Sequence, residues 1–156
     1  MKTLDIEKNS VLIIDGTNLI HRYYHVNKNL KSKSGMPTGG IYGVIRSLKN
    51  YSKLFNPKQM FICFDKTKKT FRHDLYPEYK GNRKPTDIEL KKQYPLLETF
   101  CNLANIPFVK KDYIEADDLI GSLCCKSKEY NIKSYAMSGD RDILQLINKG
   151  IDIIYL

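Results

Sequence analysis

The apolar residues of this chain fall into two kinds of pattern. Short runs, most of them rich in β-branched and aromatic residues, occur at Val11–Ile14, Met60–Phe64, Ile106–Val109, Lys133–Ser138 and Ile151–Tyr155. Such runs predict strands. Val11-Leu12-Ile13-Ile14 has no polar alternate, so it predicts a strand covered on both faces. Between the runs lie stripes with helical spacing: Ile41, Val44, Ile45, Leu48 and Tyr51, then Leu90, Tyr94, Leu97, Cys101 and Ala104, then Ala116, Leu119, Ile120, Leu123 and Cys124. Each predicts a helix with one buried face. A further helix follows Asp15-Gly16-Thr17-Asn18, with Thr17 or Asn18 as its cap. Pro95 falls inside the second stripe and predicts a kink or a helix restart. Ile143, Leu144, Leu146 and Ile147 form a last, short helical pattern. The order β-α-β-α-β-α-β-α-β predicts a three-layer α/β/α sandwich with a mainly parallel sheet and right-handed crossovers.

Polar chemistry gathers where the strands end. Asp15 and Asp65 each follow a strand, Glu115, Asp117 and Asp118 open the third helix, and Asp140 and Asp142 follow the fourth strand. A parallel sheet brings these places to one edge. Any one of these acids is equally readable as a turn, cap or solvated helix start. Seven together are not, because like charges in one pocket oppose each other's ionisation unless a cation joins them. Oxygen-only donors without His or Cys suit Mg²⁺ or Mn²⁺.

Residues 66–86 fit neither period. They interleave lysines and arginines (Lys68, Lys69, Arg72, Lys80, Arg83, Lys84) with aromatic rings that include Tyr79. Cations on phosphates and rings on bases suit a nucleic-acid strand. The bulk charge agrees: 26 Lys and Arg against 17 Asp and Glu leave +9 on 156 residues, with a pI near 9.3. No apolar run approaches a bilayer span and no signal peptide opens the chain, so no membrane partner is expected. Cys63, Cys101, Cys124 and Cys125 form no C-x-x-C pair and no zinc spacing; three lie in apolar patterns and read as reduced core thiols of a cytoplasmic protein.

Ile13-Ile14-Asp15-Gly16, Phe64-Asp65, Phe71-Arg72, Tyr79-Lys80-Gly81-Asn82-Arg83, Glu115-Ala116-Asp117-Asp118 and Gly139-Asp140-Arg141-Asp142 resemble the 5′-nuclease (flap endonuclease) family. The resemblance is to its N-terminal PIN-like, resolvase-like part, as in the 5′–3′ exonuclease domain of bacterial DNA polymerase I. It covers nearly the whole chain, and residues 1–156 are then one metal-binding domain. It implies divalent-metal-dependent hydrolysis of DNA phosphodiester bonds at a 5′ end or 5′ flap. Asp15, Asp65, Glu115, Asp117 and Asp118 would serve one ion, and Asp140 and Asp142 a second. Lys80 and Arg83 would act catalytically on the scissile phosphate, Tyr79 would stack near the terminal base, and residues 66–86 would belong to an arch. Family members carry further aspartates and a helix–hairpin motif beyond the point matching Leu156. The second ion is therefore expected to be incompletely liganded, and a C-terminal partner or domain is expected to complete the site. Two other readings stay open: a non-catalytic nucleic-acid-binding module, and a phosphotransfer or phosphatase domain using Asp15 as nucleophile.

Overall fold

Five strands pair in parallel in the order β3-β2-β1-β4-β5 in a computed structural model that describes Glu7 and residues 9–156. In chain order the elements are β1 (Val11–Asp15), α1 (Gly16–Val26), α2 (Gly39–Phe55), β2 (Gln59–Cys63), α3 (Phe71–Leu75), α4 (Ile88–Lys91), α5 (Tyr94–Leu103), β3 (Phe108–Val109), α6 (Ala116–Glu129), β4 (Ser134–Ser138), a 3₁₀ segment (Arg141–Lys149) and β5 (Asp152–Tyr155). The chain moves outward from β1 to β2 and β3, then returns past β1 to β4 and β5. Right-handed crossovers in opposite directions place their helices on opposite faces. Accordingly, Leu12 and Ile14 of β1 pack with α1, α2 and α5, whereas Val11 and Ile13 pack with α6 and the 3₁₀ segment. β1 is buried along its whole length, as its unbroken apolar run predicts.

The local departures have physical causes. The expected cap of α1 is neither Thr17 nor Asn18: Asp15 itself caps the helix, accepting from the Asn18 N–H at 2.8 Å. Gly16 follows because a Cβ there would stand 2.4 Å from Ile62 Cγ2. The stripe from Leu90 to Ala104 restarts, giving α4 and then α5 with Pro95 in its first turn, where a missing N–H costs nothing. The third strand shrinks to two residues because Pro107 has no N–H to offer the ladder. Residues 66–86 are not wholly irregular: α3 forms within them, with the Thr70 N–H bonded to His73 Nδ1 at 3.1 Å. Cys63, Cys101 and Cys124 are buried free thiols, and Cys125 is exposed. Among the described residues no helix is long and apolar enough to cross a membrane.

Candidate metal and nucleic-acid site

The reversal of strand order falls between β1 and β4, so a crevice opens at their carboxyl ends. A cavity of about 230 Å³ lies there, lined by Asp15, Thr17, Asn18, His21, Asp65, Lys80, Arg83, Glu115, Ala116, Asp117 and Asp140. Five of the seven carboxylates singled out in the sequence therefore share one space.

Short polar ties bring the elements together. Thr17 Oγ1 accepts from the Asp65 N–H at 2.9 Å, which holds the end of β2 against α1. Asn18 Oδ1 accepts from the Gly139 N–H at 3.1 Å, which draws in the turn after β4. Asp65 Oδ1 accepts from the Ala116 N–H at 2.7 Å, so Asp65 sits at the N-terminus of α6, where the helix dipole favours negative charge. Asp140 accepts from the Asp142 N–H at 3.1 Å and thereby caps the 3₁₀ segment.

Asp15 is almost wholly buried. Burial raises its carboxyl to about pH 6, against donation from the Asn18 N–H and the Ser138 hydroxyl; the charges of Asp65 and Asp140 push the same way as burial. Asp117 is raised to about 7, first by burial and then by the charges of Asp15, Asp140 and Asp65. These acids crowd one another. Among the described residues no lysine or arginine forms an ion pair with Asp15, Asp65, Asp117 or Asp140.

Glu115 and Asp118 stand differently. Lys80 Nζ lies 2.7 Å from Glu115 Oε1, while Arg72 and the Tyr79 hydroxyl reach Oε2 at 3.3 and 3.1 Å. Burial works against the Lys80 ammonium, but Glu115 outweighs it and the pKa is raised. Lys80 holds this pose with a left-handed backbone, φ 56°. Asp118 receives both guanidinium nitrogens of Arg72 at 2.6 and 2.7 Å, and that bond lowers its pKa. It also accepts from the Glu115 N–H at 3.2 Å. Asp118 thus faces away from the carboxylate cavity, into a second cavity of about 770 Å³ between α6 and the 3₁₀ segment, which Asp142 also lines. Arg72, read from the sequence as a strand-binding cation, is committed to Asp118 and Glu115. Lys69 pairs with Asp74 at 2.8 Å, Lys68 and Lys84 are exposed, and Arg83 stands exposed on the rim of the smaller cavity. The far end of the loop is fixed by the Tyr24 hydroxyl, which donates to Asp87 at 2.6 Å.

The sequence did not assign two lining residues, His21 and Thr17, to the site, nor Ser138, which is buried behind Asp15. Ser138 is fully buried and donates to Asp15 at 2.8 Å. His21 faces the cavity with Nε2 2.8 Å from the Tyr94 hydroxyl, and burial lowers its pKa. His21 lies three residues beyond Asn18, which is the helical spacing that would have put it on the same face. Thr17 was read only as a cap.

The donor set fits a hard divalent cation: oxygen ligands only, two of them with raised pKa and without a protein counter-ion. Among the described residues, no three His, Cys, Asp or Glu side chains form a ready-made ligand shell. Lys80 occupies one oxygen of Glu115.

The family described as 5′-3′ exonuclease, N-terminal resolvase-like domain, matches residues 10–156. The chain is 38% identical over 152 residues to the 5′-3′ exonuclease of Buchnera aphidicola subsp. Acyrthosiphon pisum, covering 96% of this chain and 53% of that protein. It is 32% identical over 146 residues to DNA polymerase I of Geobacillus stearothermophilus, covering 94% of this chain and 17% of that one. It thus spans about half the length of the free-standing exonuclease relative. Among solved structures, the T5 D15 protein co-crystallised with metal ions superposes with a TM-score of 0.63 at 25% identity, over 88% of this chain and 51% of that one. T5 5′-exonuclease with bound zinc superposes with a TM-score of 0.63 at 22% identity, over 90% and 52%. The family model covers nearly the whole chain and the fold agrees with it: the chain belongs to the family of the 5′-3′ exonuclease N-terminal resolvase-like domain.

Proposed function

We propose that this domain is the metal-binding half of a divalent-metal-dependent 5′-nuclease that hydrolyses DNA phosphodiester bonds at a free 5′ end or a 5′ flap. One observation carries the reading: five carboxylates line one crevice, four of them without an ion-pair partner among the described residues, beside the basic stretch 66–86. Asp15, Asp65, Glu115 and Asp117 would hold a first Mg²⁺ or Mn²⁺, and Asp140 with Asp142 would contribute to a second. Asp118 would act through Arg72 rather than as a direct ligand. The bound cation would supply an activated water and neutralise charge on the phosphate. Lys80 and Arg83, on the rim, would bind the scissile phosphate and stabilise the charge that grows on it. Tyr79 would offer a ring to the terminal base, and Lys68, Lys69 and Lys84 would draw the strand in. Phosphotransfer through Asp15 is disfavoured, since that carboxylate is buried and both its oxygens accept hydrogen bonds.

The second ion would have few protein oxygens here, and Mg²⁺ binds weakly when few are offered. The free-standing exonuclease relative is about twice as long, so a further half of that kind would complete the site and grip duplex DNA. The test titrates 5′-flap DNA with Mg²⁺ across a salt series, with and without a C-terminal half taken from a relative. Weak, salt-sensitive binding and little cutting by the chain alone, with cutting restored by the added half, are expected. Metal-independent cleavage, or none under either condition, would refute the nuclease reading.

A further inference from the structure

Ser138 closes β4 and is completely buried, a placement in which an unbonded hydroxyl is costly. Its Oγ lies 2.8 Å from Asp15 Oδ2 and 3.0 Å from the Asp140 backbone nitrogen. The roles are fixed by chemistry. A carboxylate accepts and an amide N–H donates, so the single hydroxyl proton goes to Asp15 and a lone pair takes the Asp140 N–H. Asp15 Oδ1 is already held by the Asn18 N–H, so Ser138 fixes the second oxygen and with it the rotamer. On the other side, the Asp140 turn is held through the Asn18–Gly139 and Ser138–Asp140 bonds. One hydroxyl thus spans a carboxylate from the end of β1 and the turn bearing Asp140, across the reversal in strand order. Ser10, at the opposite end of β1, is as deeply buried, yet its Oγ has no partner among the described residues.

We infer that Ser138 is a positioning residue for the cation site, setting the distance and orientation between Asp15 and the Asp140 turn. This rests on the reading of the crevice as a divalent-cation site. Outer groups that orient ligands in this way are commonly worth tenfold or more in metal affinity. Without the hydroxyl, Asp15 regains rotamer freedom and the Asp140 turn loses its anchor, so a cation meets ligands that must first be ordered.

The test is Mn²⁺ binding to the full chain by calorimetry, beside thermal unfolding in EDTA. Ser138→Ala should weaken Mn²⁺ binding by about tenfold, Ser138→Thr should stay within about twofold of the unaltered chain, and Ser10→Ala should leave binding unchanged. Absence of Mn²⁺ binding by the unaltered chain would overturn the cation reading and this inference with it. If the unaltered chain binds Mn²⁺ and Ser138→Ala binds it equally well, the inference alone falls. It falls equally if Ser138→Thr melts like the unaltered chain yet binds as weakly as Ser138→Ala. A loss of melting temperature in Ser138→Ala with unchanged Mn²⁺ affinity would reduce Ser138 to a core hydroxyl.

Discussion

Replacing Asp117 by Asn should stabilise the metal-free protein, and more so as pH rises. Burial, and then the crowding of neighbouring acids, keep the Asp117 proton in the folded state until about pH 7, against the ordinary carboxyl value of 3.8. A group whose folded pKa is raised contributes stability that is fully present below the unfolded pKa and is lost as pH rises through the folded one. The window is therefore roughly pH 4 to 7. At about 1.4 kcal/mol per pH unit the ceiling on that loss is about 4 kcal/mol. The crevice is open to water, and screening brings the expected effect down to about 1–2 kcal/mol. Asn has nearly the same shape and carries no charge, so Asp117→Asn should recover that amount at pH 8 and little of it at pH 4. For a chain of this length the gain corresponds to about 2–8 °C in melting temperature. The assay is thermal unfolding in EDTA at pH 4, 6 and 8, repeated with Mn²⁺. Mn²⁺ should stabilise the unaltered chain at pH 8 more than the variant, erasing or reversing the difference. A variant less stable than the parent at pH 8 in EDTA would refute the reasoning, because Asp117 would then be a structural acid.

Three further perturbations probe neighbouring contacts. Arg72→Met strips the half-buried Asp118 of its two-pronged partner and should cost about 1–3 kcal/mol, read as a lower denaturant midpoint at neutral pH. Lys80→Ala frees Oε1 of Glu115, so calorimetry should find Mn²⁺ bound more tightly; in a longer protein carrying the same change, single-turnover cleavage should slow by about 100-fold. Gly16→Ala places a methyl 2.4 Å from Ile62 Cγ2 and should destabilise by about 1–3 kcal/mol in chemical denaturation.

The strands were legible because β-branched runs have few other uses, and the crevice was legible because the acids recur where strands end. What escaped was pairing at long range. Arg72 and Asp118 are 46 residues apart, and no periodicity joins them. Ser138 looked like the last residue of a strand, since nothing local reveals that its hydroxyl meets Asp15. α3 has five residues and no buried position, too short for a helical stripe to declare itself. The run Glu115-Ala116-Asp117-Asp118 was read as one cluster. Successive residues on a helix, however, point about 100° apart, so Asp117 enters the carboxylate cavity while Asp118 turns to Arg72.

β1 lies between β2 and β4, and the bond from Ser138 to Asp15 spans 123 residues. Loops of that length must close before the crevice exists, which makes folding slow relative to helical proteins of similar size. A growing chain would lack the Ser138 bond to Asp15 and the Asp140 turn until β4 is made and docked. A fragment that stops short of β4 lacks Asp140 and the Ser138 bond to Asp15. A cation captured by the assembled carboxylates therefore recognises the native state alone, and its binding energy is added to global unfolding rather than to a local opening. Where the β1–β4 contacts form after the folding transition state, the cation should slow unfolding more than it speeds folding. Occupancy of the crevice would then be visible as kinetic lifetime of the whole domain.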